Sequence, residues 1–125
     1  MASHSEARTR TFKADGAITQ YTVVKYGTDA QHVAQAGAND KCRGIAMTAA
    51  AAAEDKVEVA LPGGGALLKI SETVTGGQRL TSDASGLGEV VDAADEAVCG
   101  RAENGGVAND VIPVEVMDHD ATGAE

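Results

Sequence analysis

The side chains able to do chemistry are few and scattered. Histidine occurs at His4, His32 and His119, and cysteine at Cys42 and Cys99. The two cysteines belong to no Cys-x-x-Cys or Cys/His grouping of the kind that binds zinc or exchanges disulfides, and read as small buried hydrophobes. Asp118-His119-Asp120 places three ligating residue types in a row. Neighbours on an extended chain point away from one another, so these three do not converge on one ion. Gly63-Gly64-Gly65 precedes an apolar strand pattern and lacks the Gly-Lys-Ser/Thr ending of a phosphate loop. Ser85 has Gly86 and Gly88 nearby, but Asp83 stands where a nucleophile elbow needs its first glycine. Carboxylates are plentiful, yet no pair is singled out for acid–base work. A catalytic centre requires convergence. The expectation is a protein that is not an enzyme and uses no cofactor and no metal.

Composition says what kind of body these residues sit in. The chain has 125 residues and a net charge of −9. Hydrophobic residues make up 43% but aromatic ones only 2%, namely Phe12, Tyr21 and Tyr26. A core without rings forgoes the largest single burial contributions. Area supplied by identical neighbours would make up the difference, which favours an oligomer. The charge is uneven: residues 89–125 hold ten acidic side chains and only Arg101 as a base. Residues 1–13 lean the other way, with Arg8, Arg10 and Lys13 against Glu6. An acidic body excludes the phosphate neutralisation on which nucleic-acid binding rests. No run of about 18 apolar residues suggests a membrane span. Met1–Arg10 has no apolar stretch of a secretory signal, so synthesis in the cytoplasm is expected.

Patterning divides the chain into an extended N-terminal arm over 1–13, a single β domain over 14–117 and an acidic flexible tail over 118–125. Ile18–Tyr26 is rich in β-branched and aromatic residues and predicts a strand, with Gln31–Ala36 returning as its hairpin partner. Thr48–Lys56, with five consecutive alanines, is too short for an independent helix and predicts a loop or one helical turn. Val57, Val59 and Leu61 alternate with Lys56, Glu58 and Ala60, a half-buried strand. Pro62–Gly65 then turns the chain, and Ala66–Ile70 is expected to pair back on it. Gln78–Thr81 is a short strand between turns, Asp92–Val98 a possible helical turn, and Val111–Met117 the last strand. Pro113 there cannot donate to a ladder, which favours an edge or a bulge. Short strands, frequent turn signals and 15 glycines predict a mainly β fold, a small barrel or sandwich with short helical turns.

The alanine stretch has an echo. Cys42-Arg43-Gly44-Ile45-Ala46 opens a segment of small residues that reaches Asp55 and then Val57-Glu58-Val59. Cys99-Gly100-Arg101-Ala102 opens another, which reaches Asp110 and then Val114-Glu115-Val116. Both read as a strand, a loop of small residues crossing a barrel end, and an alternating strand back.

Gly44-Ile45-Ala46, the loop Ala49–Ala53 and the strand Val57–Leu61 with its glycine turn make the segment Ile18–Leu61 similar to head decoration, or capsid cement, proteins of tailed viruses of bacteria and archaea. The resemblance implies a small β-barrel that forms a homotrimer. It would sit on the outer surface of the virion head at three-fold or quasi-three-fold positions and bridge copies of the major capsid protein. By the same resemblance the N-terminal arm would dock on the shell, with Arg8, Arg10, Thr11 and Phe12 as capsid-binding residues. Another virion surface module, such as a head-fibre base or a host-attachment domain, is the alternative. Neither reading involves nucleic acid or membrane.

Overall fold

The computed structural model describes residues 8–38, 40–91 and 97–117. Ten strands follow one another: β1 (Thr9–Ala14), β2 (Val23–Tyr26), β3 (His32–Gln35), β4 (Cys42–Ala46), β5 (Lys56–Ala60), β6 (Gly65–Lys69), β7 (Arg79–Ser82), β8 (Gly88–Val90), β9 (Gly100–Ala102) and β10 (Val111–Val116). Among the described residues there is no helix, so the fold is mainly β as the patterning predicts. The first five strands close a barrel in the order β1-β3-β2-β4-β5, and the last five form a sheet in the order β6-β10-β9-β7-β8.

These two orders describe one topology used twice. Reading β1 to β5 onto β6 to β10 reproduces every neighbour and every direction. β1 runs parallel to β3, and Ile70, just past β6, meets Gly88 of β8 in a parallel bridge. Phe12 pairs with Val57 as Leu68 pairs with Ile112, and Ala46 pairs with Val59 as Ala102 pairs with Val114. The bridge Ile18–Ala50 recurs as Val74–Gly106. Tyr21 and Gly77 both have left-handed backbones, and their amides donate to Ala46 O and Ala102 O. The second sheet therefore follows the first strand for strand, with the one bridge Ile70–Gly88 where the first closes into a barrel. The echo read from the sequence is real, but its last step is out of register. Val57–Val59 corresponds to Ile112–Val114, not to Val114–Val116, because the ladder partners fix the match.

The interiors correspond as well. Phe12, Ala14, Ile18, Val24, Val33, Ala46, Ala50, Val57 and Val59 form one buried cluster. Their counterparts are Leu68, Ile70, Val74, Leu80, Gly88, Ala102, Gly106, Ile112 and Val114. The sizes trade off. Ala14 lies in register with Val33 in the first barrel, and the larger Ile70 with Gly88 in the second sheet. A Cβ added at Gly88 would lie 2.6 Å from Leu68 Cδ2. Conserving volume in this way keeps both interiors close-packed. The second of these clusters is also where the two halves meet. Val23, Ala36, Cys42, Ile45 and Ala60 turn outward from the first barrel and pack with Leu68, Ile70, Leu80 and Val114. That is why Val23 and Val24 are both buried: β2 presents one face to each core.

Several expectations need correction. The arm is, from Thr9 onward, barrel strand β1. It pairs with β5 along Thr9–Lys13 and with β3 at Lys13 and Ala14, and it buries Phe12 and Ala14. Alternation at Phe12 and Ala14 was too short to read against the polar residues around it. The strand expected over Ile18–Tyr26 is broken by the left-handed Tyr21, where Thr22 Oγ1 donates to Thr19 O at 2.7 Å. Ala66–Ile70 does not fold back on β5, whose two edges are already taken by β1 and β4, and β6 pairs with β10 instead. Pro113 is internal, between β6 and β9. Its carbonyl accepts from Glu103 N at 3.0 Å, so its missing donor faces beyond the end of β9 and breaks no bond to β6. The alanine stretch is a loop: Asp55 Oδ2 accepts from Ala51 N and Ala52 N at 3.0 and 3.1 Å. Asp110 does the same for Val107 N at 2.9 Å. Most of the turn at Asp92–Val98, the tail at 118–125 and residues 1–7 of the arm lie outside the described residues.

Candidate functional site

Of the residues expected to touch a shell, Arg10, Thr11 and Phe12 stand on β1 and Arg8 just before it. Arg8 lies along the turn between the halves: Leu61 N donates to Arg8 O at 2.7 Å, and Arg8 Nη1 donates to Pro62 O at 3.2 Å. Gly64 permits this approach, since a Cβ there would fall 2.7 Å from Arg8 N. The Thr11 hydroxyl donates to the Glu58 carboxylate across the β1–β5 ladder. Phe12 is only 2% exposed and belongs to the barrel interior, so its ring is a core element rather than a contact surface. Arg10 is exposed at the same end of the barrel and stacks on that ring, with its Cζ 5.0 Å from the centroid.

The structure adds neighbours that the sequence did not reveal. Arg43, on β4, reaches the same ring at 5.0 Å and also lies over Tyr26 at 5.4 Å. It gets there because the β2–β4 register shifts between Val24 and Lys25, so Arg43 is the extra residue of a bulge. Arg10, Arg43, Tyr26, Gly27, Asp29, Ala30 and His32 line one cavity of about 250 Å³. Two of the chain's three rings and two guanidinium groups thus meet at the end of one barrel. Neither Arg10 nor Arg43 has a carboxylate partner among the described residues.

The acids nearby are engaged elsewhere. His32 stands between Asp29 Oδ1, 2.7 Å from Nδ1, and Glu54 Oε2, 3.0 Å from Nε2. With a carboxylate on each ring nitrogen, its pKa is raised, first by the bond to Asp29 and then by that to Glu54. The same bond is the main cause that lowers Asp29, with the Gln31 amide adding to it. The turn that carries Asp29 depends on Gly27. A Cβ there would sit 2.6 Å from both the His32 carbonyl carbon and Asp15 Oδ2. Asp15 in turn accepts from Thr28 N at 2.9 Å and Thr28 Oγ1 at 3.1 Å.

Cys42 and Cys99 are both free and buried in the core between the halves. The Cys42 side chain and burial push the Cys99 thiol strongly upward, so it stays protonated and unreactive. Among the described residues no three ligating side chains are grouped to hold a metal ion. What this site offers is a cationic, ring-backed recess.

A fold of two like-ordered five-stranded units with a shared core defines the class of architecture, and it has been seen before. No family model and no curated protein sequence matches the chain at a significant level. The chain is similar in structure to the N base of the head fiber gp8.5 of bacteriophage phi29, with a TM-score of 0.71 and 14% identity. The match covers 87% of this chain and 92% of that one.

Proposed function

We propose that this chain is a structural, non-catalytic protein of a virus head, exposed on the outside of the shell. The observation that carries this reading is the extent of the fold match, which takes in both halves and nearly all of a head-fiber base. The sequence resemblance of Ile18–Leu61 to decoration proteins of tailed viruses points the same way. On the finer reading the protein is a capsid decoration protein, a homotrimer that bridges copies of the major capsid protein and stabilises the expanded shell. Many weak contacts on one lattice act together, and binding only the expanded state stabilises it by mass action. A second reading, the base on which a head fibre stands, is favoured by the description of the structural neighbour.

Particles test both. The protein should be found in purified virions and should co-sediment with heads that lack it. A decoration protein should be present in hundreds of copies, and stripped heads should break at lower temperature. A fibre base should be present in fewer copies, and its removal should strip fibres without weakening the shell. Light scattering on the purified chain should give a trimer mass. Absence from purified particles would overturn both readings.

A further inference from the structure

We propose that Arg10 and Arg43 form a receptor for the carboxylate of an Asp or Glu side chain on an acidic segment of the protein to which this chain docks. The inference rests on the head reading for the identity of that partner, and on the recess alone for its chemistry.

The first support is the pairing of charge. The chain carries 19 acidic against 10 basic side chains, yet these two guanidinium groups have no carboxylate partner among the described residues. Two carboxylates beside the recess are tied to His32. Asp29 accepts from His32 and from Gln31 N at 2.9 Å, and Glu54 is held by the other His32 nitrogen. The second support is geometry. A guanidinium held with its Cζ over a ring spends no N–H donor on a carboxylate there, and its planar fork can still take one in two parallel bonds. Stacking on Phe12 and Tyr26 holds both groups in place without neutralising either.

The duplication supplies an internal control. In the second half the positions of Arg10, Phe12 and Tyr26 are taken by Ala66, Leu68 and Ser82, all buried, and Cys99 precedes the glycine that matches Gly44. The same topology therefore closes with small, plain side chains where the first half has arginines and rings. The charged recess is an addition to the architecture, not a requirement of it. A carboxylate suits it better than a phosphate: Asp29 lines the same cavity and repels a group carrying about two negative charges more than one carrying one.

The test uses the full chain labelled with ¹⁵N, titrated with hexaglutamate, inorganic phosphate and oligothymidylate, while the side-chain Nε–Hε signals of Arg10 and Arg43 are followed. Hexaglutamate should shift both signals, and should bind more weakly as salt rises from about 50 to about 500 mM. R43Q should weaken that binding about tenfold or more while keeping its thermal midpoint. Hexaglutamate leaving both signals in place, or phosphate or oligothymidylate moving them more strongly, would overturn the proposal. Sedimentation with heads separates the two readings. If R43Q and the parent chain bind heads equally, the carboxylate receptor falls and the head reading stands. If hexaglutamate binds but no head does, the receptor stands and the head reading falls.

Discussion

At the scale of single residues, His32 is a side chain whose protonation strengthens contacts between two loops. Its pKa is raised by two carboxylates that come from different loops, the β2–β3 turn and the β4–β5 loop. A raised folded value means that the protonated form is the stabilising one. Its contribution is fully present below about pH 6.5, the ordinary histidine value, and is lost as pH climbs through the higher folded value. Asp29 behaves oppositely. Its folded value is depressed, so its share is present above its ordinary 3.8 and lost on acidification. The thermal midpoint of the parent chain should therefore fall as pH rises above about 6.5, and His32→Gln should flatten that limb. A variant as pH-dependent as the parent would show that His32 is not the source. The arginine recess beside it was hidden from the sequence for a reason at this same scale. Arg43 is aimed by a one-residue bulge in β4, and nothing in Cys42-Arg43-Gly44 announces a bulge.

At the scale of elements, β1 decides whether the first barrel exists. It fills the gap between β3 and β5, and no other strand is free to do so. Removing residues 1–13 should therefore melt the domain, where a free arm would have been dispensable. Circular dichroism checks this, and a native spectrum for the truncated chain would place the barrel's closure elsewhere. The strands themselves were largely legible, because alternation such as Val57, Val59 against Glu58 depends only on local sequence. Their partners were not. β6 follows a tight turn and looks like the second arm of a hairpin, but it pairs with β10, a choice set by which edges β1 and β4 leave open. The interchange at Ile70 and Gly88 offers a sharper test of element packing. Gly88→Val should cost about 1–3 kcal/mol by overpacking against Leu68 and Ile70. Adding Ile70→Ala, which restores the small-with-large pairing of Ala14 and Val33, should recover much of that loss in urea unfolding. Simple addition of the two costs would show that the sites are not coupled.

At the scale of the whole molecule, a closed barrel and a sheet of the same strand order are joined through one core. Val23, Cys42 and Ile45 leave the first unit to pack among Leu68, Ile70 and Leu80 of the second. Hydrogen bonds add to the seam: Lys69 N donates to Tyr21 O at 2.9 Å, Val23 N to Gly86 O at 2.8 Å, and Ser82 Oγ to Gly37 O at 2.7 Å. Heating should give one transition in which the calorimetric and van't Hoff enthalpies agree. Two resolved transitions would mean that each half stands alone. This shared core also answers the scarcity of rings. With aliphatic side chains on both faces of β2 and β4, the chain buries area against its own duplicate, so the composition does not by itself require an oligomer.

The turn Pro62–Gly64 is where the chain crosses from one half to the other, and both ends of the described sheet system come back to it. Leu61 N bonds to Arg8 O on one side, and on the other Gly63 N bonds to Val116 O and Val116 N to Gly64 O. A short linker from Val116 to Arg8, with a cut at Gly63, should thus yield a permuted chain that carries its halves in reverse order. For the same reason, a peptide or fluorescent cargo joined directly at Arg8 or at Val116 would leave the described fold beside this one turn.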